Sequence, residues 1–123
     1  MEKIFKVSEE LKKGDVILVD LDPAKGAEKK KTRPCLIIQN DTGNKFSPLT
    51  IIAVITSQKE IDKKYPTDVW VEKGEGGLDV PSIIQCDQIR TIDKNRIIKK
   101  FDSFNASIME EVNKALKISL DLT

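Results

Sequence analysis

The stretch Arg33-Pro34-Cys35-Leu36-Ile37-Ile38-Gln39 is followed by Asn40-Asp41-Thr42-Gly43-Asn44, by Lys45-Phe46-Ser47-Pro48, and then by Leu49-Thr50-Ile51-Ile52-Ala53-Val54-Ile55-Thr56-Ser57. Two β-branched apolar runs flank a segment of turn-forming residues, which predicts two buried strands joined by a tight connection. An arginine stands just before the first run, and a hydroxyl pair ends the second. If the strands pair antiparallel, Arg33 and Thr56 come to the same end of a sheet. That end then holds a guanidinium, two hydroxyls and no histidine.

Composition bounds what such a site does. The 123 residues suit one domain with a single core of ordinary size. With 39% apolar and 33% charged residues, the chain reads as a folded globular protein rather than a disordered one. There is no histidine, so Cys–His nucleophiles, His-based metal sites and His acid–base chemistry are excluded. Cys35 and Cys86 fall in apolar, strand-like runs and read as buried thiols, because two cysteines do not make a disulfide scaffold. Glu2 and the lack of an apolar segment argue against a signal peptide, and no run approaches membrane-spanning length. The expectation is a cytoplasmic protein with no membrane partner.

Outward from the central pair, Ile4, Phe5, Val7 and Leu11 have rough helical spacing, as in a short helix or a strap, and Gly14-Asp15 ends it. Val16 to Leu21 predicts a mostly buried strand. Residues 22–33 hold five cations against two acids with Pro and Gly among them, so they read as a long basic loop. It is either a solvated loop or an anion-binding lid. Gln58 to Lys64 reads as a polar connection, and Thr67 to Glu72 as a half-buried strand. Lys73 to Gly77 reads as a flexible turn, and Ser82 to Ile89 as a strand with Gln85, Asp87 and Gln88 as its polar members. Arg90 to Lys100 is a second basic segment, in which Asp93 caps a short turn before a brief strand or strap at Ile97-Ile98. Asn105 then caps a helix from Ala106 to about Leu120, with an apolar stripe at Ile108, Val112, Ala115 and Leu116. The whole predicts a mainly β fold with minor α: a bent, partly open antiparallel barrel with one C-terminal helix packed on it.

Taken together, the motifs resemble the MazF/PemK-type toxins of type II toxin–antitoxin systems. They are Gly14-Asp15-Val16, Arg33-Pro34, Ile37-Ile38-Gln39-Asn40-Asp41 with Gly43-Asn44, Ser47-Pro48, Ile55-Thr56-Ser57 and Gln88-Ile89-Arg90-Thr91-Ile92-Asp93, followed by the ending Lys114 to Leu120. They run in order from Gly14 nearly to the end. The resemblance implies a single domain over 1–123, with 1–13 as an N-terminal extension, in the SH3-like fold shared with the gyrase poison CcdB. It implies a homodimer that cuts single-stranded RNA at short sequences, needs no metal or other cofactor, and leaves a 2′,3′-cyclic phosphate and a 5′-hydroxyl. It also implies a MazE-like antitoxin.

By the same resemblance, Arg33 and Thr56 match the catalytic arginine and threonine, while Glu28, Ser57 and Asp87 are site neighbours or acid–base candidates. Lys29, Lys30, Lys31, Asn40 and Gln88 are the implied RNA contacts. Two departures stand out. Lys29 replaces a glutamine common after the loop glutamate, and Gln85-Cys86-Asp87 keeps the Asp of the PemK branch without its Arg.

The chemistry agrees with these assignments. RNA brings its own nucleophile, so the protein must align the 2′-oxygen, stabilise the phosphorane and protonate the leaving oxygen. A guanidinium grips two phosphate oxygens in a planar fork, and hydroxyls add donors. Arginine stays protonated in water, so it suits the roles of clamp and proton donor, with a carboxylate (Glu28 or Asp87) or water taking the 2′-proton. The plainer readings are an Arg33 that pairs with Asp20 or Glu28 to hold a loop, and strand-end hydroxyls that satisfy backbone groups. Two rival functions also stand: a non-catalytic RNA- or protein-binding barrel, and a gyrase poison. The second relies on an aromatic residue near the C-terminus, where this chain has Ser119-Leu120-Asp121-Leu122-Thr123.

Without histidine or clustered ligands, RNA cleavage by the purified protein should proceed undiminished in excess EDTA. A strict requirement for added divalent ions, measured on a long RNA, would count against this chemistry.

Overall fold

β1 (Asp15–Asp20), β2 (Thr32–Ile37) and β3 (Leu49–Ser57) form where β-branched residues favour extended backbone and a half-buried pleat. The computed structural model describes residues 10–21 and 32–123. Over these, β4 (Asp68–Val71), β5 (Ser82–Asp93) and β6 (Ile97–Ser103) complete a six-stranded antiparallel sheet in the order β4-β5-β3-β2-β1-β6. The sheet is not closed by hydrogen bonds, and β4 and β6 are its edges. The mainly β, partly open barrel with a C-terminal helix is thus the architecture observed.

Alternation along the strands feeds two apolar clusters on opposite faces. One gathers Val16, Leu36, Ala53, Ile55 and Ile84 under the C-terminal helix. The other gathers Ile17, Val19, Cys35, Ile37 and Ile52, with Ile92 and Ile97 from either side of the β5–β6 turn. The buried Leu11 joins this second cluster. The rest of the expected N-terminal helix or strap lies outside the described residues.

Two short helical segments show how local chemistry sets the path. Between β2 and β3, the expected tight turn is a six-residue helix, α1 (Asp41–Phe46). The Asn40 side chain accepts from Gly43 N at 2.8 Å, and the buried Asn44 accepts from Thr50 Oγ1 at 2.8 Å while donating to Gln39 O at 2.9 Å. These bonds cap one turn of helix and pin it on the sheet, an outcome that turn propensity alone does not distinguish. The long helix α2 (Ala106–Leu120) follows the expectation: Asn105 accepts from Ile108 N at 2.9 Å, and Ile108, Val112 and Ala115 are buried.

β5 is longer than the run Ser82–Ile89 suggests, and it is broken. Ala53 pairs with Ile89, but Val54 pairs with Gln85, so Cys86, Asp87 and Gln88 have no partner on β3. Such bulges bend a strand and raise its twist. The bend helps the sheet curl until the turn after β4 (Glu75–Gly77) packs on β6. This turn, expected to be flexible, is instead a packed joint. Gly76 is buried at φ +64°, and a Cβ there falls 2.6 Å from Phe104 Cε1 and 2.7 Å from Val16 Cγ2.

Gly74 also has positive φ, at +98°, but nothing stands within 4 Å of its virtual Cβ. Gly74→Ala should therefore cost only the left-handed backbone penalty of ~1–2 kcal/mol. Gly76→Ala should add ~1–3 kcal/mol of overpacking. Denaturant midpoints of the two variants check this, and equal losses would show that the joint is not packed as described.

Candidate functional site

Pairing of Cys35 with Val54, Leu36 with Ala53 and Ile37 with Ile52 fixes the β2–β3 register. Continued two residues toward the strand ends, that register sets Arg33 opposite Thr56. Arg33 lies two residues from Cys35, and Thr56 lies two from Val54 and four from Ile52, so both side chains leave the sheet on the face of the second apolar cluster. The Arg33 Nη1 lies 3.5 Å from Thr56 Oγ1. Thr56 is 7% exposed, while the Arg33 side chain keeps 37% of its surface open. The pair thus has a sheltered hydroxyl and an accessible cation.

Glu60 completes the cluster. Its Oε2 accepts from Thr56 Oγ1 at 2.6 Å and from Arg33 Nη1 at 3.4 Å. Thr56 foremost, and then Arg33, hold the Glu60 carboxyl below the usual carboxylate range, so it is anionic at neutral pH. Arg33 is therefore ion-paired to Glu60, a partner that the plainer reading of the sequence does not name. The glutamate lies in a short 3₁₀ turn (Gln58–Glu60) that follows β3 directly. Sequence reading passed over it as part of a polar connection. Ser57-Gln58-Lys59-Glu60 does match the Ser-x-x-Glu capping pattern, and that signal brings Glu60 back toward the strand end.

The other predicted residues divide. Ser57 caps the 3₁₀ turn, accepting from Lys59 N at 3.2 Å, so its hydroxyl has a structural bond beside the site. Asn40 caps α1. Asp87 and Gln88 are exposed in the break of β5, beyond the Ile83 that pairs with Thr56, so neither joins the Arg33–Thr56 pair. Two adjacent polar residues already interrupt the period of two there. Glu28, Lys29, Lys30 and Lys31 lie outside the described residues.

The second basic segment serves mainly to fasten the fold. Arg90 donates to Leu21 O at 3.4 Å and Arg96 to Asp20 O at 3.2 Å. Lys94 is buried and donates to Asn44 O. Lys100 pairs at 3.1 Å with the buried Asp15, which also accepts from Lys12 N and Ser103 Oγ. Burial pushes the thiols of Cys35 and Cys86 up to about 12, so both stay protonated and neither is a nucleophile. Among the described residues there is no group of His, Cys, Asp or Glu that suits a metal, and no helix long and apolar enough to cross a membrane.

The family of PemK-like, MazF-like toxins of type II toxin–antitoxin systems matches residues 12–120. The chain belongs to that family. A relative from Staphylococcus saprophyticus, named endoribonuclease MazF, is 50% identical over 113 residues, which is 91% of this chain and 92% of that protein. Among solved structures, a MazE–MazF complex from Deinococcus radiodurans superposes with a TM-score of 0.77 at 21% identity, covering 94% of this chain and all of that one. A mycobacterial endoribonuclease in complex with its cognate antitoxin gives 0.76 at 21%, covering 92% and 97%. At such identity the likeness is one of fold. The six-stranded sheet and C-terminal helix of this PemK-like, MazF-like toxin are the architecture that those structures share.

Proposed function

We propose that the chain cleaves single-stranded RNA at the Arg33–Thr56 site by attack of the 2′-hydroxyl on the adjacent phosphate. Membership of the toxin family and half-identity with an endoribonuclease along nearly the whole chain make it an endoribonuclease toxin. The single observation that carries the mechanism is the convergence of Arg33 Nη1 and Thr56 Oγ1 on one carboxylate oxygen. Two donors aimed at one anionic oxygen form a seat for a phosphoryl oxygen, and preorganised donors of this kind lower the barrier as charge develops.

In the reaction the 2′-oxygen forms a bond to phosphorus, and the bond from phosphorus to the 5′-oxygen breaks. Arg33 clamps the phosphate and shares its growing charge, while Thr56 donates a hydrogen bond to the same group. The 2′-proton passes to a carboxylate or to water, and the leaving 5′-oxygen takes a proton from the Arg33 side. The products are a 2′,3′-cyclic phosphate and a 5′-hydroxyl. The attack needs a splayed nucleotide, which an A-form duplex does not offer, so the substrate is an unpaired strand.

Two partners belong to this reading. One is a second copy of the chain. An apolar groove lies between α2 and the sheet, lined by Ile38, Ile51, Ile89, Leu116, Leu120 and Leu122, and Leu120 and Leu122 are more than half exposed. An open apolar surface of this kind suits an interface between copies. The other partner is a MazE-like antitoxin, supported by family membership and by relatives of the same fold solved with theirs. Action on messenger RNA places the protein in the cytoplasm.

If Arg33 clamps the scissile phosphate, lysine cannot reproduce its planar fork. Arg33→Lys and Arg33→Ala should then both slow cleavage by orders of magnitude, while thermal unfolding changes little. Thr56→Val should show a smaller loss, at most the ~2.7–4 kcal/mol of one donor to a developing anion. If Arg33 only anchors the turn through Glu60, Arg33→Lys should cleave at nearly the wild-type rate. Initial rates on one RNA, with melting curves for each variant, decide between these outcomes.

A further inference from the structure

Glu60 is the part of this cluster that phosphate clamping leaves unexplained. Among the described residues it is the one carboxylate in hydrogen-bond contact with Arg33 or Thr56, and one of its oxygens takes a bond from each. Thr56 Oγ1 approaches it at 2.6 Å, the length of a charge-assisted bond to an anion. A carboxylate oxygen and a non-bridging phosphate oxygen ask for the same donors. With Thr56 Oγ1 and Arg33 Nη1 both engaged by Glu60, an incoming phosphate oxygen cannot take this pair of donors until Glu60 leaves. Both groups are also anionic, so a carboxylate that stayed would repel the phosphodiester.

The location of Glu60 allows it to leave. Its side chain is 56% exposed, and it ends a three-residue 3₁₀ turn rather than sitting inside the sheet. The turn is capped independently, by Ser57 Oγ accepting from Lys59 N at 3.2 Å and by Ile61 N donating to Gln58 O. Release of the Glu60 side chain therefore breaks no backbone hydrogen bond. Thr56 and the backbone of Arg33, in contrast, are set by the strand register.

We propose that Glu60 is an internal stand-in for the scissile phosphate: its carboxylate occupies the phosphoryl-oxygen seat in the free protein and must be displaced for RNA to bind. This proposal rests on the assignment of Arg33 and Thr56 to the scissile phosphate. The carboxylate acts as a competitive ligand tethered to the site, so it lowers affinity for RNA without touching the chemical step. It also keeps Arg33 paired while no substrate is present. Glu60 is thus an affinity-setting residue of the site and does not itself react.

The test uses full-length protein carrying Glu60→Gln, Glu60→Ala or Arg33→Ala. The substrate is a short RNA spanning one mapped cleavage site, with its all-2′-deoxy counterpart as an uncleavable probe. Glu60→Gln keeps an acceptor but removes the charge, and Glu60→Ala removes both. Affinity for the probe should rise and KM should fall in the order wild type, Gln, Ala. Loss of an exposed ion pair corresponds to about two- to fivefold, so the fall in KM and the gain in probe affinity for Ala should be about that size. Unchanged or weaker binding in both Glu60 variants would overturn the proposal. A large loss of kcat in Glu60→Gln would overturn it as well, and would make the carboxylate the acceptor of the 2′-proton. Wild-type cleavage by Arg33→Ala would instead overturn the assignment of the site, whatever the Glu60 variants do.

Discussion

The ladder between β2 and β3 is the constraint on which the rest depends. Cys35, Leu36, Ile37, Ile52 and Ala53 are fully buried, and they alternate between the two apolar clusters. A slip of one residue would exchange the faces of every side chain on a strand, so burial on both faces fixes the register strongly. The same register carries Arg33 opposite Thr56 at the open end. The site is thus positioned by core packing and needs no dedicated scaffold of its own. An arginine on a loop would have to be ordered at the moment of binding, at a cost in side-chain entropy. Here the strand has already met the backbone part of that cost.

Placement also explains why charge is distributed as it is. Much of the second basic segment holds the β5–β6 region against β1 and α1, through backbone carbonyls and the buried Asp15. A buried carboxylate such as Asp15 is tolerated only when it is paired and hydrogen-bonded, and it has Lys100, Ser103 and the Lys12 amide for this purpose. These cations belong to the fold. At the strand end beside Thr56, in contrast, a cation and an anion meet where both are accessible to solvent.

Much of this was legible in the residues. β1, the two central strands, the turn capped by Asp93 and the helix from Asn105 follow from β-branched runs, cap residues and apolar period, because each is dictated locally. The meeting of Arg33 and Thr56 was legible too, since antiparallel pairing of neighbouring strands leaves little choice. α1 was not: Asn40-Asp41-Thr42-Gly43-Asn44 suits a turn equally well, and the helix is selected by the tertiary bonds of Asn44 to Gln39 and Thr50. The break in β5 depends on how the sheet curls, which only the paired Asp87-Gln88 hinted at. Glu60 was missed because a charged residue in a polar connection is ordinarily solvated, and its partners lie on two different strands. The role of Lys94 and Arg90 as fasteners likewise comes from contacts distant in sequence.

The central claim is that the RNA supplies the nucleophile and Arg33 with Thr56 supply the electrostatics. The most direct measurement replaces a single 2′-hydroxyl by hydrogen, at the nucleotide just 5′ of a mapped cleavage site, in an otherwise unmodified RNA. That substrate should bind with nearly the affinity of the parent RNA yet resist cleavage at that position, while the parent yields a 2′,3′-cyclic phosphate and a 5′-hydroxyl. Cleavage of the modified RNA at the same bond and at a comparable rate would contradict 2′-hydroxyl attack, and with it the roles given to Arg33 and Thr56.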